Sequence, residues 1–158
     1  MRNTRKSRAD GEEKETLRLA KKNGSLKRGL SLPTGERAMH SLTHPAGGLL
    51  DTQHGQTISV VMPYVLQFNR PVISDSFEAL GRYLNLEDAS VTGVTDWVLE
   101  LRETCGIPHT LAGIGVKEEH VPTLAPMAVV DPSSGSNPTP VTEEAATALY
   151  LSAIQGRM

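Results

Sequence analysis

The sequence predicts an all-α fold behind a disordered, basic N-terminal tail, and three observations carry that expectation. From about Ala38 onward apolar residues recur at helical spacing, as in Val94, Trp97, Val98 and Leu101. The periodic stretches open on capping residues and close on glycine or proline. The charge is also divided unevenly: residues 1–37 hold 11 Lys/Arg against 5 Asp/Glu, whereas residues 38–158 hold 5 against 13, the pattern of a tail joined to a domain.

Residues 1–37 are polar and punctuated by Gly11, Gly24, Gly29, Pro33 and Gly35, so apart from a short helix around Glu13 to Lys22 they are expected to be disordered. The domain, residues 38–158, then unfolds as a series of helices. Gln56 to Phe68 is mostly apolar and long enough for a buried helix, although Ile58, Val60 and Val61 alone would suit a strand; Asn69 and Pro71 should end it. Asp75 caps a helix through about Leu84, with Glu78 as its capping-box partner and Phe77, Leu80 and Leu84 as its apolar stripe. Thr92 caps the next, whose inner face is Val94, Trp97, Val98, Leu101 and Cys105 and whose stop is Gly106 and Pro108. Lys117 to Val130 forms another, interrupted or started late by Pro122 and Pro126. DPSSGSNPTP is a loop. Thr142 caps the last helix, with Glu143 and Glu144 in its first turn and Ala146, Leu149, Tyr150 and Ala153 on its inner side. Trp97 and Tyr150 read as core residues and Cys105 as a buried thiol.

The chemistry-bearing signal is a cluster of histidines. Three of the five in the chain, His40, His44 and His54, fall within HSLTHPAGGLLDTQHG. Neutral imidazole is a common metal ligand and a general acid/base near neutral pH. On a helix His40 and His44 share one face, a turn apart. His54 follows a loop marked by Gly47 and Gly48, so a loop histidine can fold back toward the helical pair. HSLTH lacks the glutamate of the HExxH zinc motif, which removes the metalloprotease reading. Surface or capping roles compete with a site on these residues alone. His109 and His120 read as solvated and are given no role.

The segment HSLTHPAGGLLDTQHGQTISVVMPYVLQFNRP resembles the iron-containing, or group III, alcohol dehydrogenases. Their pattern H-x-x-x-H-P-x-G-x-x-x-x-x-x-H-G is met by His40, His44, Pro45, Gly47, His54 and Gly55, and the following P-[HY]-V-L-x-F-N by Pro63, Tyr64, Val65, Leu66, Phe68 and Asn69. GRYLNL, DWVLELRETCGIPHTLAGIGV and MAVVDPSSGSNPTPVT continue the likeness, which covers about residues 38 to 156. The resemblance implies part of the helical C-terminal domain of the dehydroquinate synthase-like fold and an NAD-linked oxidoreductase for a small alcohol or aldehyde. It implies a divalent metal, iron or in its place zinc, held by one Asp and three His, of which two match His40 and His54. His44 lies beside the metal as a catalytic residue. Maleylacetate reductases share the HxxxH pattern, but Pro45 and the His54–Gly55 pair favour the alcohol dehydrogenase branch.

Against that family, parts are missing. No glycine-rich phosphate turn is present; Gly113-Ile114-Gly115 lacks a third glycine and a preceding strand. Upstream of His40 there is only Asp10 and no histidine to complete the metal set, leaving His44 or Asp51 as substitutes. The expectation is a truncated or frame-disrupted chain without its dinucleotide domain, inactive alone, serving as a silent helical remnant or interaction module unless a separate chain supplies that domain. Uncovered apolar surface should then drive association into homo-oligomers. No apolar run approaches the ~18–20 residues that span a bilayer, and the N-terminus has no apolar leader core. The tail has no aromatic residue for base stacking, and four acids between Asp10 and Glu15 dilute its charge, which argues against nucleic acid. A single cysteine suits a reducing cytoplasm.

Overall fold

The computed structural model describes residues 36–158. The tail and the short helix expected within it lie outside the described residues, apart from Glu36 and Arg37, which open the first helix.

Five α-helices and three short 3₁₀ turns make up the described part: α1 (Glu36–Leu50), α2 (His54–Tyr83), α3 (Val91–Thr104), α4 (Val121–Val130) and α5 (Glu143–Gln155). No strand occurs among the described residues, so the all-α expectation holds and the strand alternative for Ile58, Val60 and Val61 falls. No described helix is long and apolar enough to cross a membrane. α2 is the spine, with α1, α3 and α5 packed on it, while α4 fills between α1 and α5. Leu42, Val60, Val61, Val65, Ile73, Leu124 and Tyr150 are its innermost side chains.

Several local expectations are corrected. The helix over Gln56–Phe68 does not end at Asn69 and Pro71; it continues through the Asp75 segment as one 30-residue helix containing Pro63 and Pro71. Proline's fixed φ suits a helix, and its cost lies in the unpaired carbonyl four residues back and the clash with it. At Pro63 that carbonyl belongs to Ser59, and Arg102 of α3 reaches across to it (Nη1 to O, 3.4 Å) and to the next carbonyl, Val60 (3.0 Å). Asn69 is fully buried and pairs reciprocally with Asn137 (2.9 and 3.2 Å), so it serves a tertiary contact instead of a stop.

α3 is capped by Ser90, whose hydroxyl accepts from the Gly93 N–H (3.3 Å), and not by Thr92. Its buried residues are Val91, Val94, Thr95, Val98 and Arg102, a face turned by about one residue from the predicted one. Leu101 is therefore 46% exposed and Cys105 is exposed rather than buried, while Trp97 packs half-buried against the core. α4 starts late, after a 3₁₀ turn at Glu118–His120, with Pro122 in its first turn where a missing N–H costs nothing. Thr142 caps α5 as expected, accepting from Ala145 N–H (3.2 Å).

His109, exposed as expected, and His120, half-buried, each have a hydrogen-bond partner. His109 Nδ1 accepts from Arg102 Nη2 (3.2 Å), and His120 Nδ1 accepts from the Lys117 N–H (3.0 Å). Apolar side chains do remain on the surface, Val130 at 80% and Val72 at 53% exposure.

The turn between α2 and α3 is closed by two glycines. A methyl group on Gly93 would run into the Asp88 carbonyl, and one on Gly81 into the Ala89 backbone. Gly48, in α1, meets nothing. We expect Gly93→Ala to lower stability by about 1–3 kcal/mol, the cost of overpacking. Gly48→Ala should be neutral or stabilising by up to about 1 kcal/mol through helix propensity. Urea unfolding of both variants checks this; equal effects would contradict the close approach at Gly93.

Candidate functional site

The chain from α1 into α2 explains how the three histidines meet. His40 and His44 sit one turn apart in the middle of α1. Gly47 and Gly48, expected in a loop, are still helical, and α1 ends only at Leu50. Asp51 then takes a left-handed conformation (φ 53°), which reverses the chain within three residues. Gln53 caps α2, its side chain accepting from the Gln56 N–H, and His54 is the first helical residue instead of a loop residue. The hairpin so formed carries His54 back over His40 and His44.

The rings form a near-equilateral cluster, with centroids 5.5 Å apart for His40–His44, 5.3 Å for His40–His54 and 5.4 Å for His44–His54. The last pair is stacked, with 15° between planes. All three sequence-predicted residues are thus brought together at the open surface of the domain.

Hydrogen bonds fix two of the rings. His40 Nδ1 lies 2.8 Å from the Glu36 carbonyl. A carbonyl only accepts, so Nδ1 carries the proton and Nε2 keeps its lone pair. His44 Nδ1 lies 2.9 Å from Asp131 Oδ2, with the His44 side chain 44% exposed and that of Asp131 only 11%. Burial alone would raise the Asp131 carboxyl, but the Ser133 N–H, His44 and the Ser133 hydroxyl together hold it below its ordinary value. Asp131 was not singled out in the sequence. Its one local signal is the position at the end of the apolar run MAVV, before Pro132 and two serines; its partner is 87 residues away.

The donor set suits a metal in part. Two imidazoles sharing a tetrahedral ion at Zn–N distances of 2.0–2.1 Å would place their ring centres about 5.2 Å apart, a spacing that all three ring pairs approach equally, at 5.3, 5.4 and 5.5 Å. Among the described residues, however, no three His, Cys, Asp or Glu groups are arranged to hold a metal ion. Neither His44 nor Asp51 completes such a set, contrary to the substitutions considered from sequence.

Known proteins show the same arrangement of sequence and fold. The pattern of the Fe-containing alcohol dehydrogenase family, C-terminal, matches residues 1–154. That match includes the segment expected to be unlike the family. Lactaldehyde reductase of Escherichia coli (strain K12) is 30% identical over 122 residues, covering 73% of this chain and 32% of the relative. A maleylacetate reductase of Sphingobium indicum is 31% identical over 117 residues, covering 74% of this chain and 31% of the relative. The solved structure of a 1,3-propanediol oxidoreductase superposes with a TM-score of 0.70 at 27% identity, covering 74% of this chain and 32% of that one. The chain therefore spans 32% and 31% of the lengths of these two curated relatives. With the histidine hairpin, the helical fold and the family pattern in agreement over most of its length, this chain belongs to the iron-containing alcohol dehydrogenase family.

Proposed function

We propose that this chain contributes the imidazole side of a metal-centred site for the oxidoreduction of a small alcohol or aldehyde, and the His40–His44–His54 cluster is the observation that carries the reading. His40 and His54 are the ligands it supplies. His40 is prepared for this, because its Nδ1–H donates to the Glu36 carbonyl and leaves the Nε2 lone pair for a metal. A bound iron or zinc would supply Lewis acidity there. His44 is the catalytic residue: its Nε2 faces away from Asp131 and can take or return the hydroxyl proton. NAD, implied by the family, is the hydride partner and is to be held by residues outside this cluster. The remaining ligands must likewise come from elsewhere, in the same polypeptide or another. A maleylacetate-type substrate is the second reading, supported by the relative of that name. The setting proposed is the cytoplasm, where an exposed free thiol such as Cys105 persists.

Calorimetric titration of zinc or ferrous ion into the protein tests the ligand assignment. A four-ligand structural zinc site is worth about 10–16 kcal/mol. About half of that from two imidazoles corresponds to dissociation constants of roughly 1–200 µM. Binding should vanish in both His40→Ala and His54→Ala and only weaken in His44→Ala. Tight binding that survives His54→Ala would overturn the assignment.

A further inference from the structure

The loop after α4 is built around one carboxylate. Both oxygens of Asp131 are committed: Oδ1 accepts from the Ser133 N–H (2.8 Å) and Oδ2 from His44 Nδ1 (2.9 Å). The backbone that carries it is fastened on each side. Ser134 Oγ donates to the Val129 and Asp131 carbonyls (2.7 and 2.8 Å), Arg37 Nη1 donates to Ser136 Oγ (2.6 Å), and Asn137 pairs with the buried Asn69. A loop tied to α1 and α2 in this way presents its carboxylate at a fixed place. Asp131 is itself nearly buried while the ring it holds is open. A surface ion pair does not look like this, since both its partners are normally exposed and loosely held.

We infer that Asp131 is a positioning residue, which holds the His44 ring in its Nδ1–H form and leaves Nε2, on the side of the ring away from Asp131, as its acceptor. The inference rests on the reading of His44 as the group that handles the substrate proton. A ring with Nδ1 committed as donor to a carboxylate can offer only Nε2 as an acceptor. Without that anchor the ring is free to rotate about its two side-chain bonds, and a free imidazole side chain favours the opposite form, with the proton on Nε2. In that form the only lone pair is on Nδ1, and Nε2 could donate but not accept. Asp131 therefore acts through His44 and touches no reacting atom itself.

The alternative is a tether that merely joins the loop to α1. Nitrogen-15 NMR of the histidine side chains separates the two, because a tether has no reason to fix a tautomer. The full chain is labelled on histidine and recorded at about pH 9, above the ordinary imidazole range, with His44 assigned by its loss in His44→Gln. In the unmodified protein His44 should show a pyrrole-type Nδ1 and a pyridine-type Nε2. Asp131→Ala should move the major population to the Nε2–H form. Asp131→Asn should also give the Nε2–H form, because its amide oxygen keeps the Ser133 N–H and its NH2, standing in the place of Oδ2, donates to His44 Nδ1. An Nε2–H ring in the unmodified protein, or an unchanged tautomer in Asp131→Ala, would overturn the inference. If Asp131→Ala does not fold, the unmodified protein and Asp131→Asn still decide it, since an Nε2–H ring in the first or an Nδ1–H ring in the second contradicts the assignment. The measurement needs no metal, cofactor or substrate. Failure of metal binding at His40 and His54 would therefore leave it intact, and a wrong tautomer would leave the metal titration intact.

Discussion

Replacing Arg102 with methionine should lower stability by about 2–4 kcal/mol, with a fall in melting temperature of roughly 10 °C. Arg102 is 4% exposed and reaches the carbonyls of Ser59, Val60 and His109, the His109 ring and the Tyr64 hydroxyl. Methionine keeps the packing of the side-chain stem but none of the donors. Hydrogen bonds from a charged group contribute about 1.5–3 kcal/mol net, and an orphaned buried carbonyl costs about 1–3 kcal/mol. Relief of the arginine's own desolvation offsets part of this. The specific claim concerns Pro63, which deprives Ser59 of its helical N–H partner. Pro63→Ala returns that N–H. In the Pro63→Ala background Arg102→Met should therefore cost about 1 kcal/mol less than it does otherwise. An equal loss in both backgrounds would show that the arginine does not serve the carbonyl freed by the proline.

The same pair explains why part of the fold was illegible. Capping and periodicity located four of the five helices and named Thr142 and the inner face of α5 correctly, because these depend on neighbours within a turn or two. Asn69 and Pro71 read locally as a stop, yet α2 continues through them, since Asn69 finds its partner in Asn137 across the fold. The predicted inner face of α3 followed the apolar side chains Leu101 and Cys105. The structure instead buries Arg102, whose value appears only when α2 with its proline lies alongside. Glycine propensity suggested a loop at Gly47 and Gly48, where tertiary packing of α1 against α2 and α4 keeps the helix.

The candidate site was legible in the same measure. His40, His44 and His54 were found because the hairpin that joins them is short, and a motif records it in consecutive residues. Asp131 was missed because its contact with His44 spans 87 residues and no spacing rule connects them. Local sequence thus gave the residues that bear the chemistry, while the residue that orients one of them emerged only from packing.

Tyr150 should carry the largest stability effect of any single side chain in the core. It is fully buried, and its hydroxyl donates to the Leu42 carbonyl (2.6 Å), tying α5 to α1 two positions before His44. Tyr150→Ala removes an aromatic side chain from a closed space, a change that costs about 3–5 kcal/mol. Tyr150→Phe keeps the ring and should lose about 1 kcal/mol for the hydrogen bond. The hydroxyl also makes stability depend on alkaline pH. Burial, and next the nearby Asp131 charge, raise the Tyr150 phenol well above its ordinary value. The folded state therefore keeps the proton where the unfolded chain, near pH 10, gives it up. Stability is full below that point and falls as pH rises past it, by about 1.4 kcal/mol per pH unit for each retained proton. Tyr64, also raised, chiefly by burial, adds to the same trend. Urea unfolding between about pH 9 and 11.5 should show the loss steepening above pH 10, and Tyr150→Phe should flatten it by one proton's worth. The same slope in both proteins would mean that the phenol ionises as readily in the fold as in the open chain, and the buried hydrogen bond to Leu42 would then have to be abandoned.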